Sequence, residues 1–209
     1  MNDFGLYVII TDPVVPHERI VEACVANGIL MVQLREKEMD DRMLLEKAKN
    51  IAGIVKGSST RFIMNDRIDI AMLCGADGTH VGQDDIPVSD LRSIAGDESH
   101  ILGLSTHSVR QACDANRCAP DYIGFGPVFP TYAKKRPDPA VGLTHIRQVV
   151  ERSPVPVVVI GGINRTNIDD VLDAGAKNIA MISALCRSSR YEDEIRFFAE
   201  KVREHDTVK

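Results

Sequence analysis

The sequence predicts a closed parallel sheet of eight strands inside a ring of helices, a (β/α)8 barrel, occupying residues 1–209 as a single domain. Three observations predict it. Short runs rich in β-forming residues recur eight times. Each is followed by a segment whose apolar residues return at helical spacing, and the runs are apolar on both faces, as strands covered on both sides must be. An open doubly wound sheet is the competitor, but it needs fewer strands and usually a glycine-rich dinucleotide turn after the first. Here the first strand runs into "TDPVVPHER", which has no such turn.

In chain order, "GLYVIIT" is the first strand, and "HERIVEACVANG" after it carries Ile20, Val21, Cys24 and Val25 on one helical face. "LMVQLR" is the second, ending in "QLREK"; the helix "MLLEKAKNIAGIV" repeats the pattern with Leu44, Leu45, Ala48, Ile51 and Ala52. The third, "RFIMN", runs into an Asn-Asp pair, and the fourth, "GTHV", into "GQDD". "ILGLS" and "YIGFG" follow as fifth and sixth, trailed by "STHS" and "GPVFPTYAKK". "VVVIG" and "IAMIS" complete the set, with "GGI" tightening the chain before the helix "NRTNIDDVLDAG". Gly28, Gly75 and Gly175 stand where helices need a left-handed C-terminal residue. The tail "YEDEIRFFAEKVREHD" reads as a closing helix with a solvated face.

Composition limits what the motifs mean. A chain of 209 residues with 44% hydrophobic content buries roughly 70% of its unfolded surface, enough for one core without staples. A net charge of -5 gives no electrostatic reason to expect nucleic acid or an anionic membrane as partner. Anionic small molecules stay open, because a local basic cluster outweighs a weak net charge. The five cysteines, odd in number and without a CxxC pair, read as reduced, buried thiols of a cytoplasmic protein. Neither a signal peptide nor a membrane span is expected, and a homo-oligomer is compatible with the sequence.

In such a barrel the loops after the strands share one face, where chemistry is done. Every chemically rich cluster of this sequence follows a strand. Asp66 and Asp85 therefore look like two carboxylates aimed at one point; bare, they would repel, and Mg²⁺ resolves the conflict by taking both along with waters and substrate phosphate oxygens. The competing reading is helix capping by Asp66 and turn chemistry at Asp84 and Asp85. Arg35 suits bidentate phosphate contact, Lys37 and Lys134 supply point charges, and Ser105 a hydroxyl donor. Gly161, Gly162, Ile182 and Ser183 fall after the seventh and eighth strands, where many barrels hold phosphate on backbone amides.

Taken together, "QLREK", "NDR", "GADGTHVGQDD", "GLSTHS", "DYIGFGPVFPTYAKK", "VVIGGI" and "MISAL" resemble thiamine phosphate synthase from about Leu6 to Leu185, in the family's order. The resemblance implies a transferase joining 4-amino-2-methyl-5-pyrimidinylmethyl diphosphate to a thiazole phosphate carboxylate. It implies that Gln33, Leu34, Arg35, Glu36, Lys37 and Asn65 hold the pyrimidine diphosphate, with Asp66 and Asp85 on Mg²⁺. Ser105 and Lys134 would contact the diphosphate or its surroundings. Thr131, Tyr132, Ala133, Gly162, Ile182 and Ser183 would meet the thiazole phosphate. The family often shows Thr-x-Thr-Lys where this chain has "TYAK", so Ala133 lacks the second hydroxyl. "KRPDPAVGL" reads as a flap over the mouth or as a rigid loop. Two alternatives share the barrel: a thiazole tautomerase, moving a proton through His107, and a non-catalytic carrier of thiamine precursors.

Overall fold

The computed structural model describes residues 2–96, 99–131 and 138–207. Its strands are β1 (Leu6–Ile10), β2 (Met31–Leu34), β3 (Arg61–Asn65), β4 (Gly78–Val81), β5 (Ile101–Thr106), β6 (Tyr122–Phe125), β7 (Val157–Ile160) and β8 (Asn178–Met181). Between and after them come α1 (His17–Ala26), α2 (Asp41–Val55), α3 (Ile68–Cys74), α4 (Val88–Ala95), α5 (Val109–Ala115), α6 (Ile146–Arg152), α7 (Ile168–Asp173), α8 (Ser183–Cys186) and α9 (Tyr191–Thr207). All pairings are parallel and follow chain order, and the sheet closes where β1 pairs β8, Tyr7 beside Ala180. The barrel expected from the sequence is the barrel observed. β1, β2 and β8 each stop one or two residues short of the expected apolar run, because Thr11, Arg35 and Ile182 already leave the ladder toward the mouth.

The strand period of two sorts side chains into two cores. Leu6, Val8, Ile10, Val32, Leu34, Phe62, Met64, Leu102 and Val159 face outward and pack under the helices. Tyr7, Ile9, Met31, Ile63, Tyr122, Val158 and Ala180 face inward and fill the barrel, with Phe4 beneath them. Helix α2 shows how sequence sets the outer layer. Asp40 caps it by accepting the Met43 amide at 3.0 Å, and Leu44, Ala48, Ile51 and Val55 bury one stripe. Helix α3 ends at Gly75, whose φ of 74° is the left-handed turn expected there.

The face opposite the mouth is stapled by side chains that precede strands. Asp77, ahead of β4, accepts the Phe62 amide at 2.8 Å and Arg61 at 2.9 Å. Asp121, ahead of β6, accepts the Leu102 amide at 2.7 Å and Arg92 at 2.8 Å. Asn178 accepts the amides of Phe4 at 2.6 Å and Gly5 at 3.1 Å. The cysteines depart from expectation: Cys24 and Cys186 are buried, Cys74 is half-buried, and Cys113 and Cys118 are exposed. The last two lie at the end of α5 and in the 3₁₀ turn after it, beyond the stripe that α5 buries through Ala112 and Ala115. All five are free thiols. Among the described residues no helix is long and apolar enough to cross a membrane.

Candidate active site

The mouth is built from strand ends. Gln33 is the last inward residue of β2 and is buried inside the barrel. Arg35 follows where its amide bonds Ile10 O at 2.9 Å, and Lys37 reaches across from the same loop to place Nζ 3.0 Å from Asp66 Oδ2. Asp66 itself has a φ of 58°, a left-handed conformation that aspartate tolerates better than most residues, and its amide is tied to His80 O at 2.8 Å. Helix α3 is not capped by this carboxylate; its N-cap position is Arg67, without a side-chain cap bond. Asp85, from the β4 loop, accepts the Gly82 amide at 2.7 Å, so turn chemistry is one part of its role.

The electrostatics of the pair are those of a site short of positive charge. Burial raises the pKa of Asp66 above the usual carboxylate value; Lys37 opposes the rise and the neighbouring Asp85 carboxylate adds to it. Burial likewise lowers the proton affinity of Arg35, with Asp66 and Glu36 pulling it back up. Among the described residues no group of three or more histidine, cysteine or acidic side chains is placed to cage a metal. Two hard carboxylate oxygens beside a lysine, one of them disfavoured as a bare anion, nonetheless fit a divalent cation that draws its other ligands from water and phosphate. Asp66 and Asp85 are the residues that would hold Mg²⁺.

Other expected residues divide. Ser105, the penultimate residue of β5, sets Oγ 2.8 Å from His80 Nε2, and Gln83 Nε2 donates to its backbone carbonyl at 2.6 Å. Asn65 is buried at the inward end of β3, beside His80 of β4. Leu34 and Glu36, grouped with them by the resemblance, point elsewhere. The Leu34 side chain is fully buried in the outer core, so only its backbone faces the mouth. Glu36 accepts the Asp12 amide at 2.7 Å and meets His17 Nε2 at 2.6 Å, fastening the β1 loop to the β2 loop.

Across the mouth lies a cavity of about 380 Å³ lined by Thr131, Gly162, Ile182 and Ser183, all four expected from the sequence. Gly162 has a φ of 66°, and a Cβ there would stand 2.6 Å from Phe129 Cβ and 2.8 Å from Pro130 O. No other residue fits that turn. Asn164 and Asn167 donate to Gly162 O at 3.3 and 3.0 Å and fix its peptide plane. Tyr132, Ala133 and Lys134 lie outside the described residues.

Reasoning from sequence missed His80, Tyr7 and Tyr122, which link Gln33 to Ser105 through the barrel, and Arg187, which lines the cavity beside Ser183. The strand period places His80 inward with Gly78, and that is the signal that could have found it. His107 gives Nδ1–H to Gly126 O at 2.6 Å and sets Nε2 3.5 Å from Asp138, the engagement of a structural histidine.

The profile of the family described as thiamine monophosphate synthase matches residues 6–185. The chain belongs to the thiamine monophosphate synthase family. It is 41% identical over 201 residues to a thiamine-phosphate synthase of Methanospirillum hungatei, covering 95% of this chain and 97% of that one. To the thiamine-phosphate synthase of Halalkalibacterium halodurans it is 40% identical over 188 residues, or 88% and 89% of the two chains. The thiamine phosphate pyrophosphorylase from Pyrococcus furiosus superposes with a TM-score of 0.88 at 32% identity, each chain covered to 98%. In this member of the thiamine monophosphate synthase family, then, the neighbouring Asp66 and Asp85 carboxylates beside Lys37 and the cavity of about 380 Å³ both lie among the loops that follow the strands.

Proposed function

We propose that the chain is a thiamine phosphate synthase that couples 4-amino-2-methyl-5-pyrimidinylmethyl diphosphate to a thiazole phosphate carboxylate, releasing diphosphate and CO2. One observation carries the reading: the cationic and acidic cluster of Arg35, Lys37, Asp66 and Asp85 shares a single mouth with the cavity at Gly162 and Ser183. Two anionic substrates fit there side by side.

In this reading the bond between the pyrimidine methylene carbon and the diphosphate oxygen breaks first, its electron pair leaving with diphosphate. The electron-rich aminopyrimidine carries the resulting cation, so the protein's task is to stabilise charge on the leaving group. Asp66 and Asp85 would hold Mg²⁺, which would supply Lewis acidity toward the phosphate oxygens. Arg35 and Lys37 add fixed positive charge, and Ser105 and Lys134 add donors. The thiazole nitrogen, brought up from the cavity by Thr131, Gly162 and Ser183, then forms the new bond to carbon; the thiazole carboxylate leaves as CO2, its bonding pair stays on the ring carbon, and that carbon takes a proton from water. No serine or cysteine nucleophile is needed, and burial raises the pKa of the Cys24 and Cys186 thiols, keeping both protonated.

The test is to incubate the purified chain with both substrates and Mg²⁺ and to analyse for thiamine phosphate by chromatography. Product is expected, with none in the presence of a chelator. Isomerised thiazole without coupling would make the chain a tautomerase instead, and binding of both substrates with no product would make it a carrier.

A further inference from the structure

A line of hydrogen bonds crosses the inside of the barrel. Gln33 Nε2 lies 2.7 Å from Tyr7 Oη, Tyr7 Oη 2.9 Å from Tyr122 Oη, Tyr122 Oη 3.0 Å from His80 Nδ1, and His80 Nε2 2.8 Å from Ser105 Oγ. Tyr7 and Tyr122 are buried, and burial pushes both hydroxyls far above the ordinary phenol range, so each keeps one proton to give.

Counting donors sets the direction. The Gln33 amide nitrogen only donates, so Tyr7 accepts from it and must pass its own proton toward Tyr122. Tyr122 in turn donates to His80 Nδ1. A histidine that accepts at Nδ1 and stays neutral carries its proton on Nε2, and that proton goes to Ser105 Oγ. Ser105 then has its lone pair occupied from below and its own O–H left for the mouth.

The packing preserves the line. The His80 and Tyr122 rings stack with centroids 5.4 Å apart and planes at 25°. Gly103 sits between β4 and β6 and supplies the notch for that stack, since a Cβ there would collide with the Tyr122 hydroxyl and with His80 Nδ1. Any side chain at residue 103 would break the line at its middle.

We propose that Tyr7, Tyr122 and His80 are positioning residues, a one-way relay from Gln33 that fixes the Ser105 hydroxyl as a donor to the departing diphosphate. This rests on the function proposed above. Turned the other way, with Ser105 donating inward to His80, the same atoms would present only an oxygen lone pair to an anion, which repels it.

Two measurements test the relay on the full chain. The first is the tautomer of His80 from nitrogen NMR of histidine-labelled protein: the Nε2–H form is expected at neutral pH, and an Nδ1–H form or an imidazolium overturns the proposal. The second is steady-state kinetics of Tyr122→Phe, with thermal melts as folding controls. The kcat should fall about tenfold with KM for the pyrimidine diphosphate nearly unchanged, the signature of a contact that strengthens as charge develops. In a Ser105→Ala background the same substitution should cost almost nothing more. Equal losses in both backgrounds would mean a packing role and sink the relay. Tyr7→Phe, which leaves the bond from Tyr122 to His80 in place, should lose less than Tyr122→Phe; a larger loss also counts against the relay, and this variant serves if Tyr122→Phe melts early. Failure of the wild-type chain to make thiamine phosphate would overturn the function and leave the tautomer to decide the relay's direction.

Discussion

Asp66 concentrates three costs in one residue: a left-handed backbone, a partly buried carboxylate and a like-charged neighbour in Asp85. Strain of this kind persists where the surroundings enforce it, and here the His80 carbonyl and the Lys37 ammonium do so. The sign of its effect on stability follows from its raised pKa. As pH climbs above the ordinary carboxylate range, the unfolded chain releases a proton that the folded chain still holds, so stability falls through that window. Asp66→Asn removes the effect and keeps a residue that tolerates the left-handed region. In chelator at neutral pH this variant should melt above wild type, with the gap closing in acid. Added Mg²⁺ should raise the wild-type melting temperature and leave the variant's unchanged; calorimetry reads both. In turnover, Asp66→Asn and Asp85→Asn should each lose heavily, and the double variant far less than the product of the two, because one shared ion is already gone.

Among the elements, the turn between β7 and α7 shows what a short segment contributes to the site. Gly162 accepts a conformation and a closeness to Phe129 that a Cβ forbids, and Asn164 and Asn167 hold its carbonyl. Gly162→Ala should shift this turn, raise KM for the thiazole phosphate about tenfold and lower stability by roughly 1–2 kcal/mol, while binding of the pyrimidine diphosphate across the mouth changes little. Steady-state kinetics with each substrate varied in turn would separate the two. The strands, their order and their loops were legible in sequence because period two, period 3.6 and glycine stops are local signals. Leu34 can reach the mouth only through its backbone, because a motif groups neighbours whose side chains the strand period sends to opposite faces. Tyr7 and Tyr122 look like ordinary apolar strand residues, and only closure of the barrel brings their hydroxyls together. Glu36 likewise shows its role only when His17 and the Asp12 amide arrive from another loop.

The whole molecule divides its acids by face. Those after strands, Asp66 and Asp85, gather charge at the mouth, while those before strands, Asp77 and Asp121, satisfy backbone amides on the opposite side. Asp121→Ala should therefore cost about 1–3 kcal/mol by orphaning the Leu102 amide and leaving Arg92 with only the His100 carbonyl, with kcat unchanged. Denaturant melts beside a turnover assay check both parts. The centre of the barrel also has an optical consequence. The chain holds no tryptophan and four tyrosines, so its near-ultraviolet signal is tyrosine, and two of the four are Tyr7 and Tyr122 in the interior. Their raised pKa values mean that the folded chain keeps these protons when the unfolded chain would lose them, so stability drops as pH rises past the ordinary phenol range. After a jump to alkaline pH, tyrosinate absorbance should rise in a fast phase from Tyr191, whose hydroxyl lies at the surface, and a slow phase from this pair. The slow rate should equal the unfolding rate followed by circular dichroism, making the absorbance a built-in clock for the opening of the barrel.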